Sequence, residues 1–138
     1  MFKKILYAAD GSEHSIRAGE KAFELARLSM NTKVDIIYVV DPKHSKDEIL
    51  NNWGKDAADI RKEKLELIVQ KAKQSDVDFE VIFLNGDPGP TIVNYANKND
   101  YDVIVIGSRG LNAFQEMVLG SVSHKVAKRA TSPVLIVK

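Results

Sequence analysis

The chain contains no cysteine. Disulfides, thiolate metal centres and thiol nucleophiles are therefore excluded, and a reducing compartment is the natural setting. Long apolar runs are also missing. The stretch that opens at Ile5 is broken by Asp10, far short of a bilayer span, and no export-cleavage pattern follows Met1-Phe2-Lys3-Lys4. Neither sign of charge is in excess: the formal net charge is +1 at pH 7, which gives nucleic acid, anionic membranes and acidic-tail chemistry no support. No G-x-x-x-x-G-K-[ST] occurs, no H-E-x-x-H, and no two of the three histidines have metal-ligand spacing. The expectation is a soluble, cytoplasmic chain without a metal site of its own.

What is present suits one globular domain over residues 1–138, with 44% hydrophobic and 28% charged residues. Five short apolar segments alternate with helix-like stretches. Ile5–Ala9, Val34–Val40, Phe79–Leu84, Val103–Ile106 and Pro133–Val137 read as strands. The third alternates at its start, which predicts an edge. The fourth is uniformly apolar, as a strand covered on both faces is. Between them, Ile16, Ala22, Phe23, Ala26 and Met30 keep helical spacing from Ser15 to Met30, and Leu65, Ile68, Val69 and Ala72 form a second stripe. Asp87 and Pro88 read as an N-cap and first-turn proline of a helix with Ile92, Tyr95 and Ala96 inward, although Gly89-Pro90 makes its entry unusual. The last helix starts near Ser121 with Val122, Val126 and Ala130 inward. Strands alternating with helices give a doubly wound α/β domain, a five-stranded parallel sheet in the order 3-2-1-4-5 with helices on both faces. The polar stretch Asp41 to Gly54, which includes Trp53, reads as a surface loop able to order over a ligand.

In this strand order the connections reverse direction between strands one and four, and a ligand is expected beyond their carboxyl ends. The loops there are Asp10-Gly11-Ser12 and Gly107-Ser108-Arg109-Gly110. Gly107 and Gly110 would let backbone approach a ligand or supply positive φ. Gly120-Ser121 opens the last helix, whose free N–H groups favour an anion, with Ser121 and Ser123 hydroxyls as phosphate donors. The blander alternatives are a turn, an N-cap serine and, for Asp10, an Asx turn. His14 and His44 read as solvated loop residues.

These residues resemble the universal stress protein family over nearly the whole chain. Asp10-Gly11-Ser12-Glu13-His14-Ser15, Gly86-Asp87-Pro88 and the stretch from Gly107 to Ser123 carry the likeness. The last follows the family's ATP-binding signature, G-x-x-G, nine residues, then G-S/T, with Gly107, Gly110, Gly120 and Ser121 in register. The resemblance implies ATP or another adenine nucleotide, carried with magnesium. Ala9, Asp10, Gly11 and Ser12 would lie along its adenosine portion, and Val39 or Val40 would line the adenine pocket. Gly107, Ser108, Arg109 and Gly110 would meet ribose and phosphate, and Gly120, Ser121, Val122 and Ser123 would bind phosphate. It implies a nucleotide-dependent regulatory role in the stress response. A slow ATP hydrolase or phosphotransferase working through Asp10 is the alternative.

Other occupants of this layer architecture fit poorly. A phosphoacceptor domain needs an acidic pair after strand one and an aspartate ending strand three, where this chain has Leu84-Asn85-Gly86. A flavodoxin needs a phosphate loop that Asp10 to Ser15 lacks, and a dinucleotide dehydrogenase needs G-x-G-x-x-G after strand one. The apolar last strand would be an edge, a hazard unless covered. A homodimer through Val134, Leu135, Ile136 and Val137 is therefore expected.

Overall fold

The apolar segments pair into one parallel sheet in the computed structural model, which describes residues 2–41, 57–109 and 119–138. In chain order the elements are β1 (Lys4–Ala9), α1 (Glu13–Arg27), β2 (Lys33–Val40), α2 (Ala57–Gln74), β3 (Asp78–Asn85), α3 (Pro88–Asn99), β4 (Val103–Gly107), α4 (Ser121–Arg129) and β5 (Val134–Val137). The sheet order is β3-β2-β1-β4-β5, as expected. β1 lies in the middle, with Tyr7 opposite Ile36 on one side and Val105 on the other.

Side chains alternate across the sheet, so each strand feeds two cores. Ile5, Tyr7, Val34, Ile36, Val103 and Val105 pack under α1 and α2 with Phe23, Ile68 and Ala72. Leu6, Ala8, Ile37, Ile104 and Ile106 pack under α3 and α4 with Ile92, Ala96 and Val126. β1 and β4 are buried on both faces, hence their unbroken apolar runs; β3 is the edge and alternates between exposed and half-buried. The two helices of one face connect β1 to β2 and β2 to β3, while those of the other connect β3 to β4 and β4 to β5. The reversal opens a crevice at the carboxyl ends of β1 and β4.

Two helix boundaries differ from the sequence reading. α1 starts at Glu13, because Ser12 caps it: its Oγ accepts from the Ser15 N–H at 3.2 Å. It ends at Arg27, and Met30 is 84% exposed rather than inward. The buried face of α1 is made of small residues, Ser15, Ala18, Gly19, Ala22 and Ala26, with Phe23. Apolar periodicity undercounts serine and glycine, and so missed the first turn. α3 starts at Pro88 despite Pro90, because amides in the first turn have no intrahelical acceptor to lose. Asp87 takes the N-cap position without a side-chain bond to the helix. Trp53 and the rest of the Asp41 to Gly54 stretch beyond Asp41 lie outside the described residues, as does Gly110.

Candidate functional site

The crevice is bounded by the loop after β1, the start of the loop after β4, and the N-terminus of α4. Ala9 ends β1, buried. The Asp10 carboxylate accepts from the Ser12 amide at 2.8 Å and the Ser12 hydroxyl at 2.6 Å, so the Asx turn is real. The Asp10 amide in turn donates to Ser15 Oγ at 2.9 Å. Gly11 has φ +82, a conformation that side chains rarely adopt, and the aliphatic stem of Lys64 from α2 covers it.

Ser108 is the hub of the opposite wall. Its N–H donates to the Val137 carbonyl at 2.7 Å, fixing the loop to β5. Its carbonyl accepts from the Gly120 amide at 2.8 Å and from the Ser123 hydroxyl at 2.8 Å, fixing it to the start of α4. Its Oγ lies 3.2 Å from His14 Nδ1, fixing it to α1. Ser123 is buried and turned back onto this carbonyl, while Ser121 is exposed and Val122 half-buried. Gly120 caps α4 without any side-chain bond, so the first amides of that helix have no capping side chain. Arg109 is half-buried beside Gly120; a Cβ on that glycine would come within 3.3 Å of Arg109 Cα.

Gly107 does not have positive φ. It is forced by packing instead: an added Cβ would lie 2.8 Å from the His14 carbonyl carbon and 2.9 Å from the Ser15 nitrogen. The missing side chain makes room for the first turn of α1.

Val39 and Val40 end β2, one strand away from this cluster, and point to opposite faces: Val39 packs with the α3/α4 core and Val40 with the α1/α2 core. A cavity of about 570 Å³ opens on the Val40 side, lined by Lys62, Leu65, Glu66, Val69, Val81 and Phe83. It lies between α2 and β3, away from Ser108.

His14 and Lys64 are the residues that sequence reasoning missed here. His14 sits in the first turn of α1, half-buried, and its Nδ1 also faces Arg17 Nη2 at 3.2 Å. Burial, then the guanidinium groups of Arg109 and Arg17, hold its ring below the usual histidine value. Starting α1 at its true cap, Ser12, would have moved His14 from loop to helix. Among the described residues no group of three His, Cys, Asp or Glu side chains could hold a metal ion, and no helix is long and apolar enough to cross a membrane.

The universal stress protein family model matches residues 1–138. Universal stress protein YxiE of Bacillus subtilis (strain 168) is 38% identical over 154 aligned positions, covering 100% of both chains. The structure of MJ0577, a universal stress protein of Methanocaldococcus jannaschii, superposes with a TM-score of 0.82 at 31% identity, covering 100% of this chain and 96% of that one. A universal stress protein solved in complex with cAMP aligns at TM-score 0.72 and 28% identity over 99% of this chain and 97% of its own. One from Archaeoglobus fulgidus in complex with dAMP aligns at 0.71 and 25% over 100% and 98%. Fold order, crevice and full-length similarity agree, and the chain belongs to the universal stress protein family.

Proposed function

We propose that the crevice at the carboxyl ends of β1 and β4 binds an adenine nucleotide, ATP first among them, and that the single domain of residues 1–138 is a cytoplasmic, nucleotide-dependent regulatory protein of the stress response. The observation that carries the reading is the convergence on Ser108. One residue ties the β1 side, the β4 loop and the uncapped start of α4 together. A helix N-terminus without a capping side chain favours phosphate through its amides and dipole. Relatives solved with cAMP and dAMP support adenine over other bases. In this reading Ala9, Asp10, Gly11 and Ser12 flank the adenosine, Val39 and Val40 border the base, and Gly107, Ser108, Arg109 and Gly110 follow the ribose and phosphates. Gly120, Ser121 and Val122 present the α4 amides, and Ser123 braces them through Ser108. Magnesium would arrive on the phosphates, since the described residues offer no cage for it. The working unit is a homodimer joined along β5, residues Val134, Leu135, Ile136 and Val137.

Titration calorimetry with ATP, ADP, AMP and GTP tests the reading. ATP binding in the micromolar range with GTP much weaker is the expected result, lost in Gly120→Val with the far-UV spectrum unchanged. An added valine there crowds Arg109 Cα and fills the phosphate path. No heat and no rise in Tm at millimolar ATP would overturn it.

A further inference from the structure

The geometry points to His14 as a proton-linked positioning residue that acts through Ser108: on protonation it reverses the Ser108 hydroxyl, which then donates to a phosphate oxygen of the bound ligand. This inference rests on the reading of the crevice as a nucleotide site and adds to it how phosphate recognition is controlled.

The starting state follows from donor chemistry. His14 Nδ1 faces both Arg17 Nη2 and Ser108 Oγ, each at 3.2 Å. A guanidinium only donates. Nδ1 must therefore carry the lone pair, which puts the neutral ring's proton on Nε2, and the Ser108 hydroxyl must donate to Nδ1 to share the contact. The other polar groups of Ser108 are already committed, the amide to Val137 and the carbonyl to Gly120 and Ser123. Its hydroxyl is the group left to turn. While His14 is neutral, that hydroxyl offers an incoming phosphate only lone pairs, and they repel it.

Taking one proton from solvent at Nδ1 reverses the bond. Nδ1–H now donates to Ser108 Oγ, and the hydroxyl proton is released to donate outward. Arg17 leaves Nδ1 and keeps its second anchor, the Nε donation to the Lys138 carbonyl at 2.8 Å. The charged groups facing the ring decide when this happens. Glu13 and Arg17 act from α1, Asp10 from the loop after β1, and Arg109 from the loop after β4. With no anion present, burial and the two arginines prevail and the ring stays neutral near pH 7. Phosphates add negative charge on the side where Arg109 and the α4 amides lie, and the balance reverses. Binding of a phosphorylated nucleotide then draws in a proton, and linkage requires affinity to rise as pH falls, by at most about tenfold per pH unit for one proton.

Calorimetry of ATP and of adenosine binding between pH 5.5 and 8, in two buffers of different ionisation heat, tests this on wild type, His14→Asn and Ser108→Ala. ATP's own protonation is common to all three proteins and cancels in the comparison. Wild type is expected to take up more protons than either variant and to gain roughly three- to tenfold more affinity towards low pH, whereas adenosine binding stays flat throughout. Identical ATP profiles in wild type and His14→Asn overturn the inference and leave the nucleotide reading intact. Absence of ATP binding at every pH overturns both. Should a variant fail to fold, the wild-type His14 ring resonance gives the answer: its midpoint must move up when ATP is added, and an unmoved midpoint refutes the inference.

Discussion

At Gly107, an alanine Cβ would meet the His14 carbonyl carbon and the Ser15 nitrogen at 2.8 and 2.9 Å. Both are backbone atoms of the first turn of α1, so rotating a side chain cannot relieve the contact. Replacing a strand glycine gains about 0.5–1 kcal/mol of backbone entropy, but overpacking costs about 1–3 kcal/mol, and the clash prevails. Gly107→Ala is expected to lower the urea midpoint at unchanged m-value; a midpoint equal to or above wild type would show that α1 yields at no cost. The residue type at this position was legible in the sequence, but its reason was not. A glycine after a strand looks the same whether it admits a ligand or a helix, and here the helix residue concerned, His14, lies 94 positions before Gly107's own neighbour Ser108. The same distance hid His14. Its role depends on Ser108, Arg109 and Arg17, and only Arg17 is near it in sequence.

Elements were read more surely than single residues. The order of the sheet, the edge position of β3 and the two-sided burial of β1 and β4 all follow from where apolar residues alternate and where they run unbroken. What patterning missed were buried polar residues whose partners are remote. Asp35, in the middle of β2, is 6% exposed and accepts from the Tyr101 hydroxyl at 2.7 Å, a partner 66 positions away. Asp102, exposed at the entry to β4, also has remote partners. Its Oδ2 accepts from the amides of Lys3 and Lys4 at 2.8 and 2.9 Å, joining the start of β4 to the start of β1. Those two backbone bonds hold its carboxyl below the usual aspartate value. The folded state therefore favours the ionised form. The stability this adds is complete above the unfolded aspartate pKa, about 4, and is lost as pH falls through the lower folded value. Asp102→Asn should accordingly reduce stability at pH 7 and flatten its dependence below about pH 4. Parallel acid-unfolding curves for wild type and variant would contradict the assignment.

For the molecule as a whole, the doubly wound order leaves the all-apolar β5 at one margin of the sheet, with Leu135 38% exposed, while β3 at the other margin exposes Asp78 and Glu80 as well as Phe83. Charged residues discourage pairing along an edge, and an apolar edge invites it. On the proposed dimer, sedimentation of wild type at micromolar concentration should give twice the monomer mass. Leu135→Pro, which removes a ladder donor, should shift it towards monomer; a monomeric wild type would end the proposal. β5 also reaches the crevice directly, because the Val137 carbonyl holds the Ser108 amide. Mapping backbone amide shifts during an ATP titration would locate the nucleotide on the fold. For a nucleotide in the crevice, the largest changes are expected at Asp10 to Ser12, at Ser108 and Arg109, and at Gly120 to Ser123, with little at Val81 and Phe83. Changes centred on the cavity between α2 and β3, or none at saturating ATP, would contradict that location.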